Sequence, residues 1–159
     1  MIALHPDVAA LAPLLGTWAG EGAGEYPTIA SFGYHEEVVF AHVGKPFLAY
    51  RQRTQAVDDG RPLHAETGYV RTTVPGRIEL VLAHPTGITE VEEGSMELNG
   101  DDLVIELAST AIGLTTSAKL VTALARSIRV TGDQLSYRLQ MAAVGFPLQH
   151  HLAATLRRQ

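Results

Sequence analysis

Gly16-Thr17-Trp18-Ala19-Gly20-Glu21-Gly22 is the stretch that decides the fold. Glycine weakens a strand unless the chain must bend sharply or another backbone or ligand comes close. Gly16, Gly20, Gly22 and Gly24 crowd around Trp18, so the segment reads as a first strand that bends to close a β-barrel. A flexible glycine-rich loop is the alternative. A G-x-W-x-G-x-G opening marks small barrels that enclose an apolar ligand. Its counterpart lies at the other end of the chain, in Phe146-Pro147-Leu148-Gln149-His150-His151-Leu152-Ala153-Ala154-Thr155-Leu156. A histidine on a closing strand is a candidate ligand for something the barrel holds.

Between these ends the sequence breaks into short alternating runs separated by turn residues. The runs are 34–41, 46–56, 64–72, 77–83, 87–93, 95–98, 103–109, 122–130, 135–143 and 150–157. Asp58-Asp59-Gly60, Pro75-Gly76, Asn99-Gly100 and Thr131-Gly132-Asp133 punctuate them as hairpin turns. Asp7 to Leu15, preceded by Pro6, is the one helical signal. Roughly ten consecutive strands with no βαβ alternation predict an all-β, antiparallel up-and-down barrel, because closure removes exposed edges. A barrel of that size encloses a ligand cavity. The whole chain, 1–159, is expected to form one domain.

Composition narrows the function classes. A net charge of -5 gives no electrostatic footprint for nucleic acid, and Arg157-Arg158 is the one basic cluster. No apolar run reaches the ~18 residues of a membrane span. Met1 to Pro13 lacks the pattern of a signal peptide. With no cysteine there is neither a disulfide framework nor a thiolate metal site, and a cytoplasmic protein is expected. A homodimer is compatible with the sequence.

The G-x-W-x-G-x-G segment with Tyr26-Pro27-Thr28-Ile29 resembles the nitrobindin family. So do Phe32-Gly33-Tyr34-His35-Glu36-Glu37, His42-Val43-Gly44-Lys45-Pro46-Phe47, Leu63-His64-Ala65-Glu66-Thr67-Gly68-Tyr69 and Met141-Ala142-Ala143-Val144-Gly145 running into His151-Leu152-Ala153-Ala154. These blocks occur in order over nearly the whole chain. The resemblance implies a ten-stranded barrel that carries ferric haem b, reversibly binds nitric oxide and isomerises peroxynitrite to nitrate. Without a C-x-x-C-H motif the haem would be held non-covalently. The family's His-Leu-x-Ala-x-Leu pattern puts the iron ligand at His151. By the same matching His64 lies at the other side or rim of the haem, and Met141 and Phe40 supply pocket wall.

Alternation bears on His151 differently. It puts 151, 153, 155 and 157 on one strand face and 150, 152, 154 and 156 on the other. His150 would then share the leucine face, so parity alone does not choose between the two histidines. A ligating imidazole also needs an acceptor for its other ring nitrogen, such as a backbone carbonyl. Lys119, Arg126 and Arg129 are candidates for pairing with haem propionates. His5, His42 and His84 read as loop positions, and His35 carries no assignment. No catalytic side chain is expected beyond the iron. The competing class is a non-catalytic carrier of a fatty acid or other apolar molecule. Arg51, Arg53, Arg71 or Arg138 would then meet the carboxylate.

Overall fold

In the computed structural model, which describes residues 1–159, ten antiparallel strands close into one barrel. The strands are β1 (Gly16–Tyr26), β2 (Ile29–Ala41), β3 (Leu48–Ala56), β4 (Pro62–Arg71) and β5 (Arg77–His84), then β6 (Ile88–Asn99), β7 (Asp102–Leu114), β8 (Val121–Thr131), β9 (Gln134–Ala143) and β10 (Gln149–Arg158). Each pairs with its neighbours in the chain, and β1 closes the ring against β10. This is the up-and-down barrel the alternation predicts.

Closure depends on the glycines of β1. A Cβ at Gly20 would fall inside contact distance of the Thr155 carbonyl oxygen on β10. At Gly22 it would run into the Tyr34 ring from β2. The glycine run is therefore a tightly packed strand rather than a loop. Two expected runs, 87–93 and 95–98, turn out to be the single strand β6. The residue between them, Gly94, does not break the strand. It lets β6 approach the Glu106 backbone of β7 more closely than a side chain would allow.

A 3-10 helix over Pro6–Leu14 plugs one end of the barrel. Pro13 inside it has no N–H to donate, so an α-helical ladder could not run through this position undisturbed. Val8, Leu11 and Leu14 are buried in the main core with Trp18, Leu48, Ile78, Leu103, Val130 and Leu156. Trp18 Nε1 donates to the Leu14 carbonyl at 2.7 Å. The Arg158 guanidinium sits 4.2 Å from the Trp18 ring centroid and donates to the carbonyls of Pro13 and Leu15. The basic tail is thus a clamp on the plug.

The opposite end is the mouth. Strand register slips there at several bulges, among them Gly24/Tyr26 on β1, Val121/Ala123 on β8 and His150/Leu152 on β10. Bulges bend a strand and re-aim its side chains, and they are common at barrel rims and beside sites.

Candidate functional site

His151 is the extra residue of the β10 bulge: His150 pairs with Gln140 and Leu152 with Leu139, leaving His151 without a partner. The bulge breaks strict alternation. It lets His151 turn inward beside Leu152 while His150 stays exposed. Nδ1 of His151 lies 2.9 Å from the Glu25 carbonyl oxygen, an acceptor only, so Nδ1 carries the proton and donates. No hydrogen bond engages Nε2. Glu25 belongs to the β1 bulge, so two facing irregularities set one imidazole. The Tyr26 ring packs edge-on against it at 5.3 Å between centroids. Burial lowers the pKa of His151, an effect the Glu25 bond only partly offsets, which favours the neutral imidazole a metal needs.

The wall around this histidine is apolar. Tyr26, Val121, Leu124, Leu139 and Ala143 form a cluster separate from the main core, with Ile88, Ile112, Met141 and Leu152 packed on it. The Tyr26 hydroxyl accepts from the Ala143 N–H at 2.9 Å, tying β1 to the end of β9. Beyond the cluster, Leu120, Val144, Phe146 and Leu148 stand exposed around the rim. Val144 holds a φ of 49°, a conformation in which a β-branched residue is strained.

On strands β3 to β6 and β8 lies a charged network that reaches the mouth end at His64 and His84. Arg126 is buried and meets Glu66 at 3.2 Å, Glu92 at 3.2 Å and Glu90 more closely still. Tyr50 donates to Glu66 Oε1 at 2.6 Å. His64 Nε2 and His84 Nδ1 stand 3.0 Å apart beside Glu66 Oε2. Burial alone would raise the Glu66 carboxyl, but Arg126, His64 and His84 outweigh it and hold it well below the usual range. Burial works the opposite way on His84, pulling it down, and contacts with Glu90 and Glu66 reverse that and raise it. Glu92 and Glu36 are less compensated, and burial pushes each up to about 7.

Residues 7–158 match the family model described as a THAP4-like, heme-binding beta-barrel domain. The chain belongs to the nitrobindin family. It is 67% identical over 156 residues to a protein of Mycobacterium ulcerans named peroxynitrite isomerase 2, covering 98% of this chain and 97% of that one. A Nocardia farcinica protein named peroxynitrite isomerase is 64% identical over 157 residues, with 99% and 94% covered. The crystal structure of Rv2717c from M. tuberculosis is similar with a TM-score of 0.96 at 63% identity, covering 99% of each chain.

For a nitrobindin the mouth fits haem: a half-buried histidine with one nitrogen fixed and one free, walled by apolar side chains and an exposed apolar rim. Met141 is part of that wall. Phe40, Arg126 and Arg129 lie elsewhere than expected. Phe40 lies in the main core at the plugged end, packed on Tyr50 at 5.2 Å, and not in the mouth. Arg126 is committed to three interior carboxylates, so it is not free for propionates. Arg129 is exposed on the outer wall, whereas Lys119 is exposed in the link between β7 and β8 at the rim. His64 is partly buried on β4 with its Nε2 turned to His84. His84 is no loop residue: it ends β5 and points inward. Arg51, Arg53, Arg71 and Arg138 all point to solvent, which removes the carboxylate receptor a fatty-acid carrier would need.

Glu90, Glu92 and His84 went unrecognised in the sequence as interior groups. A charged pair such as Glu92-Glu93 reads as surface. The signal that could have found them is the even-numbered parity of β5 and β6, which groups His84 with Ile78, Leu80 and Leu82, and Glu90 and Glu92 with Met96.

Proposed function

We propose that this chain binds ferric haem b at the barrel mouth through Nε2 of His151 and isomerises peroxynitrite to nitrate, with reversible nitric oxide binding at the same iron. The observation that carries the reading is the His151 Nδ1 bond to the Glu25 carbonyl. It fixes the tautomer and leaves a neutral, unengaged Nε2 beside an apolar wall. When bound, ferric haem supplies a Lewis acid that takes up the peroxynitrite anion and permits its rearrangement.

The protein's share is to orient, shield and admit. Glu25 and Tyr26 hold the imidazole ring from two sides. Met141, Leu139 and Ile112 keep water from the buried face. Lys119 at the rim is the cation offered to a propionate. His64, at the start of β4 on the mouth end, is the side chain offered to the bound anion from the other side or rim of the haem. A chain without cysteine suits a reducing cytoplasm.

Stopped-flow mixing of peroxynitrite with the haem-loaded chain tests the reaction. Decay at least tenfold faster than with the haem-free chain, with nitrate as the product, is the expected result. Equal decay in both would overturn the catalytic reading and leave at most a haem-binding protein.

A further inference from the structure

One side-chain cluster near the mouth holds donor atoms that neither the His151 imidazole nor the packing of the barrel engages. His64 on β4, Glu66 on β4 and His84 on β5 bring three donor atoms to one point. His64 Nε2 and His84 Nδ1 are 3.0 Å apart, His84 Nδ1 and Glu66 Oε2 3.4 Å, and His64 Nε2 and Glu66 Oε2 3.7 Å. Ligands ~2.0–2.2 Å from a first-row ion stand about 3.0 Å apart around an octahedron and about 3.4 Å apart around a tetrahedron. The three separations span those values, so one ion could touch all three atoms with little rearrangement.

The surroundings are arranged as a ligand shell requires. Glu66 Oε1 is occupied by Tyr50 at 2.6 Å and Arg126 at 3.2 Å, which turns Oε2 toward the imidazoles. His84 Nε2 makes no hydrogen bond but lies 3.5 Å from Glu90 Oε1, so a carboxylate stands within reach of the ring nitrogen turned away from the ion, where metal-bound histidine is commonly supported. Four buried carboxylates, Glu36, Glu66, Glu90 and Glu92, share this interior with the single guanidinium of Arg126. Glu90 Oε2 and Glu92 Oε1 have no polar partner, although both side chains are fully buried. His64, one-third exposed, gives an ion a way in.

We propose that His64, Glu66 and His84 form a second metal site, separate from His151, that binds a divalent first-row transition ion such as zinc. Two histidines and one glutamate supply three ligands and leave the ion's remaining positions to water or another ligand. The inference does not depend on haem, because none of its ligands holds the iron in the function proposed above.

Equilibrium dialysis of the haem-loaded protein against micromolar zinc chloride, with zinc and iron counted by mass spectrometry, tests it. One zinc per chain is expected, with at least tenfold weaker binding in His84→Ala and in His64→Ala. His150→Ala controls for surface binding and should retain the zinc. His151→Ala should retain zinc while losing iron, which separates this site from the haem site. If His84→Ala does not fold, the partly exposed His64→Ala decides. No zinc on the wild type, or equal zinc on the wild type and both histidine variants, overturns the site. The cluster would then be a hydrogen-bonded histidine pair alone.

Discussion

Glu36 shows how far one residue can depart from its apparent place. Beside Glu37 it looks like a surface charge, yet it is 4% exposed inside the barrel. There it accepts from Gln52 at 2.7 Å and Tyr137 at 3.0 Å. Burial raises its pKa from 4.5 to about 7. The folded state therefore keeps this proton where the unfolded chain has lost it. The stability it contributes is full below about pH 4.5 and falls away as pH rises toward 7. Glu36→Gln removes the titration. We expect the wild type to lose about 2–3 kcal/mol relative to the variant between pH 4.5 and 7.5 in urea melts. A constant difference across that range would place Glu36 in contact with water. At this scale the sequence was least legible. Inward charges such as Glu36, Glu90 and Arg126 follow from strand parity, but their residue types argue for the surface. Which carboxylate meets Arg126 depends on register across strands β4, β6 and β8, which no local pattern encodes.

Elements were far easier to read. Turn residues and alternation located the hairpins, and the boundaries erred where glycine plays a role other than turning. Gly94 read as a break because glycine usually punctuates, whereas here it permits close strand approach. The bulge at His151 is the element-scale fact that strict alternation hides, and the family pattern, not the period, picked out that histidine. Gly20 gives a test of closure. Its missing Cβ makes room for the Thr155 backbone, which cannot yield as a flexible side chain could. Gly20→Ala should destabilise the barrel by about 2 kcal/mol or more. Thermal melts would show it, and an unchanged Tm would mean that β1 and β10 close less tightly than described.

The whole molecule divides by function along its axis. The helix, Trp18 and Arg158 seal one end, while the bulges and the second apolar cluster shape the other. Leu11 is fully buried in the plug, so Leu11→Ala should cost about 2–5 kcal/mol of stability. Haem affinity should stay within about twofold of wild type while the barrel is folded. A large loss of affinity would show the two ends to be coupled. The class of fold was legible because ten short alternating runs leave few alternatives. The mouth was legible only in part, since its shape comes from register slips.

The central claim is that His151 holds the haem, and a haemin titration followed in the Soret region tests it most directly. The wild type should reach a sharp one-to-one endpoint with a histidine-ligated ferric spectrum. His151→Ala should lose that endpoint while keeping its β-sheet circular dichroism. An identical, non-saturating change in both proteins would contradict the assignment and mean that haem only adheres to the barrel.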